Sequence, residues 1–68
     1  MEVTVTVAGE DTRAVDVDSD ATYGDLVTAV GLNPHEASVL VDGRPVPADQ
    51  PVEGEVEAVT VLRLIRGG

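Results

Sequence analysis

The 68-residue chain has no cysteine, no lysine, no tryptophan and no phenylalanine, and Tyr23 is its one aromatic residue. Without cysteine there is no disulfide staple, no thiolate metal site and no cysteine nucleophile. With so few aromatics the core must be aliphatic, and 14 valines are there to build it. No apolar run reaches the roughly 18 residues that span a bilayer. Positive charge is scarce as well: four arginines stand against 13 acids, for a net charge of -9. That surplus repels phosphates and anionic lipid, so neither nucleic acid nor a membrane is expected as a direct partner. Met1-Glu2-Val3-Thr4 lacks the basic and apolar regions of a secretory signal, and a cytoplasmic location is expected.

The length gives one small domain with a single core. A hydrophobic content of 43 % separates it from disordered acidic tails. An acidic, lysine-free surface suits work in concentrated salt, where a Debye length of roughly 3 Å mutes self-repulsion. A merely acidic protein from dilute surroundings is the alternative. An unstapled core of this size supplies only about 3–5 kcal/mol, so the domain should be marginal in dilute buffer.

Val3, Val5 and Val7 alternate with Glu2, Thr4 and Thr6, the period of a strand with one buried face. A turn at Gly9-Glu10-Asp11-Thr12 leads to a second strand carrying Val15 and Val17, which makes a hairpin. Thr22 and Asp25 form a capping-box pattern with Asp in place of Glu or Gln. A helix over 23–30 follows, with Leu26, Val27 and Val30 as its apolar stripe and Gly31 as its C′ residue. Asn33-Pro34-His35-Glu36 reads as a second cap opening a single turn. A third strand over 38–41 meets the hairpin signal Asp42-Gly43, and the prolines of Arg44-Pro45-Val46-Pro47 confine the return to a sheet edge. Residues 49–57 are turn-rich and acidic. The last strand, 59–65, is apolar on both faces, with Val59 and Val61 on one and Leu62 and Leu64 on the other, and so should be central. The fold class is α+β, a mixed sheet of four or five strands with one main helix across one face. A parallel pairing of the first and last strands would put the C-terminus at one edge of the sheet, free of the core. Residues 1–64 form the domain, and 65–68 a flexible tail.

Catalytic chemistry is poorly supplied. His35 beside Glu36 reads as a solvated pair in a loop, and nothing offers a nucleophile at a strained turn. Asp16, Asp18 and Asp20 superficially suggest a calcium loop, but its required Gly and Glu positions hold Ala21 and Val27. No metal site is expected. The run Glu53-Gly54-Glu55-Val56-Glu57 is a solvated loop, with a partner-facing patch as the sharper alternative. The end of the chain is different. Two terminal glycines occur by chance in about one chain in 200. They pack nothing and stabilise nothing. Without Cβ atoms they can thread a narrow channel and present an unhindered carboxylate at Gly68. The chain would then be substrate and carrier, not an enzyme.

Val61-Leu62-Arg63-Leu64-Ile65-Arg66-Gly67-Gly68 resembles the ubiquitin tail Leu-Arg-Leu-Arg-Gly-Gly, with one extra Ile. Pro34-His35-Glu36, Val39 through the Asp42-Gly43 turn to Pro47, and Asp49 resemble the ThiS and MoaD sulfur carriers. Together with the composition, the whole chain is similar to the haloarchaeal small archaeal modifier proteins of the type-two form. The resemblance implies a β-grasp (ubiquitin-like) fold and adenylation of Gly68 by a ubiquitin-activating-type enzyme. The ATP would be used by that enzyme, and no cofactor would be bound by this chain. It implies two fates for Gly68. One is an isopeptide bond to lysines of target proteins, reversed by a JAMM-type metalloprotease. The other is a thiocarboxylate that delivers sulfur to tRNA-thiolation or molybdopterin-synthase components. Gly67, Arg66, Ile65, Leu64 and Arg63 would be the stem that the activating enzyme recognises. Leu62 is a candidate docking surface, and the chain is expected to be a monomer. A dedicated sulfur carrier and a passive acidic interaction domain are the alternatives. One departure matters: family members can link onto their own lysines, and this chain has none.

Overall fold

The computed structural model describes residues 1–63. Six β-branched-rich residues, Glu2–Val7, form β1, and Thr12–Asp16 return as β2. Val17 lies just past β2, yet its N–H still donates to the Met1 carbonyl (2.8 Å), so the ladder outlasts the strand by one bond. Gly9, with φ at +78°, supplies the left-handed backbone of the intervening turn.

Helix α1 is Tyr23–Ala29, one residue shorter than the apolar stripe suggests, because Val30 is its C-cap. Its start is a complete capping box. The Asp25 N–H donates to Thr22 Oγ1 (3.2 Å), and the Thr22 N–H donates to Asp25 Oδ2 (2.9 Å). Asp is long enough for the reciprocal bond usually made by Glu or Gln. At the other end, the Leu32 N–H donates to the Val27 carbonyl and the Gly31 N–H to that of Thr28. That pair is a Schellman motif, with Gly31 at φ +83° as the left-handed C′ residue.

Two further donors of the first helical turn are satisfied by a distant loop. The Tyr23 N–H donates to the Gln50 carbonyl (3.1 Å), and the Gly24 N–H to that of Ala48 (2.8 Å). A Cβ on Gly24 would stand 3.1 Å from the Ala48 oxygen, which explains a glycine inside a helix. The same loop pairs Pro51 with Thr22 and buries Val52 in the core. Within the turn-rich acidic stretch 49–57, Val52 is therefore a core residue that composition does not mark.

Asn33 caps the single 3-10 turn Pro34–Glu36 through its side chain, which accepts from the His35 N–H at 2.9 Å. β3 is Ala37–Val41, β4 is Arg44–Val46 and β5 is Ala58–Arg63. The five strands form one sheet in the order β2-β1-β5-β3-β4. β1 and β5 are parallel, and the other three pairings are antiparallel. β5 is central and the proline-bearing β4 is an edge, as read from the sequence. The tail residues Leu64, Ile65, Arg66, Gly67 and Gly68, and with them the flexible segment expected over 65–68, lie outside the described residues.

Register explains the core. Val7, Val61, Val39 and Val46 stand opposite one another across four strands on the inner face. Val3, Val5 and Val59 continue that face, and Tyr23, Leu26 and Val27 of α1 pack onto it. Each fully buried aliphatic side chain contributes about 1.5–3 kcal/mol of transfer free energy. All thirteen carboxylates are exposed.

Candidate functional site: the end of the central strand

The last strand is held on both sides before the chain reaches its tail. Val61 pairs with Val7 of β1 and Val39 of β3, and Arg63 stands opposite Ala37. Because β1 and β5 run parallel, Arg63 arrives at the same end of the sheet as the β1–β2 turn. There its Nη1 donates to Glu10 Oε2 at 2.9 Å, across 53 positions of sequence. The turn that aims Glu10 is itself closed by the Glu10 N–H donating to the Val7 carbonyl at 2.8 Å. Ala8, Leu32 and Glu36 line a groove of about 720 Å³ beside this pair.

Leu62 lies on the outer face of the sheet, away from α1, and is 39 % exposed, the one large exposed hydrophobic residue among those described. Opposite it is Ser38, and two residues along β3 is half-buried Leu40. Leu40 faces Thr60 on one side and Pro45 on the other. Diagonal neighbours on a sheet face stand about 7–8 Å apart, so Leu62, Leu40 and Pro45 form a small apolar area among threonines. The sequence pointed to Leu62 with Leu64. Leu40 was missed because its β3 neighbours Val39 and Val41 hide its face in a continuous apolar run.

Other candidates do not converge. His35 and Glu36 are exposed on the 3-10 turn. Asp16 is paired with the Met1 amine at 3.2 Å, and the same amine donates to the Val17 carbonyl at 2.9 Å. No three His, Asp or Glu side chains among the described residues gather as metal ligands do. No helix among them is long and apolar enough to cross a membrane.

A central strand parallel to the first, flanked by two hairpins and crossed by one helix, is the β-grasp fold of ubiquitin-like proteins. A Caldiarchaeum subterraneum ubiquitin superposes with a TM-score of 0.79 over 100 % of this chain and 98 % of that one, at 19 % identity, a likeness of fold alone. The crystal structure of Haloferax volcanii small archaeal modifier protein 2 matches with a TM-score of 0.75, at 65 % identity over 97 % of each chain. In sequence, small archaeal modifier protein 2 of Haloferax volcanii is 66 % identical over 68 residues, the full length of both. The family model described as "Small archaeal modifier protein 2" matches residues 1–65, and the chain belongs to that family.

Proposed function

We propose that this chain is a ubiquitin-like protein modifier that acts only through Gly68. The observation that carries the reading is the Arg66-Gly67-Gly68 ending in a member of this family. The Gly68 carboxylate attacks the α-phosphorus of ATP on a ubiquitin-activating-type enzyme and releases pyrophosphate. A lysine ε-amine of a target then attacks the acyl carbon, loses a proton and expels AMP, leaving an isopeptide bond. A JAMM-type metalloprotease would hydrolyse that bond and restore both partners. Attack by a sulfur donor in place of the amine gives a thiocarboxylate, the form that would serve tRNA-thiolation or molybdopterin-synthase components. Catalysis and ATP belong to the partner enzymes, in the cytoplasm, and this chain supplies the acyl group.

The activating enzyme would grip the stem Arg63, Leu64, Ile65 and Arg66 and thread Gly67, which has no Cβ to obstruct a narrow channel. Its docking surface on the folded domain would be the outer face at Leu62, and the adjoining Leu40 and Pro45 support that choice. The test is ATP–pyrophosphate exchange with a haloarchaeal activating enzyme. The full chain should support exchange, and a chain lacking Gly67 and Gly68 should not. Leu62→Ser should raise KM while the circular dichroism of the fold stays unchanged. Exchange that is indifferent to the two glycines would leave the passive interaction domain as the better reading.

A further inference from the structure

We propose that Glu10 is a positioning residue that competes with the activating enzyme for Arg63, as an ionic latch at the root of the tail. The inference rests on the proposed role of Arg63 in tail recognition. Its structural basis is independent: the Nη1–Oε2 bond of 2.9 Å joins the last described residue of β5 to the tip of the first hairpin. The bond is monodentate, one nitrogen to one oxygen, and the two side chains are 55 % and 50 % exposed. A guanidinium reads a carboxylate best through two parallel N–H···O bonds. A carboxylate on the enzyme that takes the Nη1–Nη2 edge of Arg63 in that way must first displace Glu10 from Nη1.

The latch is built by the fold. Gly9 in the left-handed region and the Glu10 N–H bonded to the Val7 carbonyl hold the turn. The parallel pairing of β1 with β5 then brings that turn to the end of β5. Both Glu10 and Arg63 line the groove that also contains Leu32, Leu62 and Glu36. An enzyme group that reaches Arg63 meets this rim, because Arg63 itself lines the groove. Exposed ion pairs are weak and screened by salt. The latch therefore holds in dilute buffer and weakens in molar salt, where the Debye length of roughly 3 Å is about the length of the bond itself.

The test is ATP–pyrophosphate exchange at graded KCl with the full chain, Glu10→Gln, Arg63→Gln, the double variant and Glu55→Gln. Glu55→Gln makes the same charge change in an exposed loop away from the tail root. At the lowest salt where all are folded by circular dichroism, Glu10→Gln should lower KM by about 1.5- to 5-fold, the range that exposed pairs support, with kcat unchanged. The difference should shrink in molar KCl and vanish in the Arg63→Gln background. Equal KM values for Glu10→Gln and the full chain at low salt would overturn the latch. So would an equal fall in Glu55→Gln, which would reduce the effect to net charge. If the full chain itself gives no exchange dependent on Gly67 and Gly68, the modifier reading fails, and the latch falls with it.

Discussion

Adding salt should stabilise this fold, by an amount that scales with the square of its net charge. The charge is -9, and every carboxylate behind it is exposed. Folding draws that charge into a body with a radius of gyration of 11.0 Å, against about 25 Å for an unfolded chain of this length. Spreading the charge over uniform spheres with those radii of gyration, about 14 and 32 Å in radius, with Debye lengths of roughly 10 Å at 0.1 M and 3 Å at 1 M, gives the repulsion that folding adds. It is about 3.5 kcal/mol in the dilute case and about 1.5 kcal/mol in the concentrated one. Screening also weakens the Glu10–Arg63 and Asp16–Met1 pairs, by a few tenths of a kcal/mol each for exposed pairs. The net gain is about 1 kcal/mol, a rise in Tm of about 4–8 °C for a domain of this size. The assay is thermal unfolding by circular dichroism in 0.1 and 1 M KCl. A second chain sharpens it: Asp18→Asn, Asp20→Asn, Glu53→Gln and Glu55→Gln together take the charge from -9 to -5. That cuts the repulsive part to about a third, so the rise should nearly disappear, while stability at 0.1 M increases by about 2 kcal/mol. A Tm that is flat or falls with salt in the parent chain would refute the reasoning. An equal rise in the -5 chain would also refute it, because the salt would then be acting through exclusion from the surface and not through charge.

Leu26→Ala empties the centre of the core, where Leu26 is 0 % exposed. It should cost about 2–5 kcal/mol, most of what a core of this size supplies, and chemical denaturation should find the variant largely unfolded in dilute buffer. Gly31→Ala puts a Cβ at φ +83° and should cost about 1–2 kcal/mol, read as a fall in denaturation midpoint with an unchanged m-value. Thr22→Ala removes the acceptor for the Asp25 N–H and should cost about 1 kcal/mol by the same measurement. Because the chain has no lysine and its Met1 amine is engaged by Asp16 and Val17, conjugates should carry single copies on each acceptor lysine. Mass spectrometry of purified conjugates that found a remnant on this chain itself would contradict that.

The parts of the fold that were legible in the sequence are those written in local periodicity. Val3, Val5 and Val7 announce a one-sided strand, Asp42-Gly43 a tight turn, Thr22 with Asp25 a helix start, and Val59, Val61 and Leu62 a strand at the centre of its sheet. What escaped is long-range. Val52 sits among acids with no pattern to mark it, and it is buried because Ala48 and Gln50 accept from the first turn of α1. Gly24 looks like a flaw in a helix until the Ala48 carbonyl is seen against it. Glu10 belongs to a generic turn, and only the parallel pairing of β1 with β5 brings it to Arg63. That pairing was anticipated, so the partner could have been sought at the turn that follows β1. The Gly67-Gly68 ending stands out by composition alone.

The most direct test of the central claim follows the tail in cells. The chain, tagged at its N-terminus, is expressed in a haloarchaeal host beside a version lacking Gly67 and Gly68, and tagged species are purified and digested with trypsin. Cleavage after Arg66 leaves Gly67-Gly68 on any modified lysine. The account predicts larger tagged species with the full chain, none with the truncation, and a Gly-Gly remnant on lysines of other proteins. A single unconjugated band from both versions, with no remnant, would contradict the modifier role. In that case mass analysis of the free chain for one terminal oxygen replaced by sulfur would decide for the carrier.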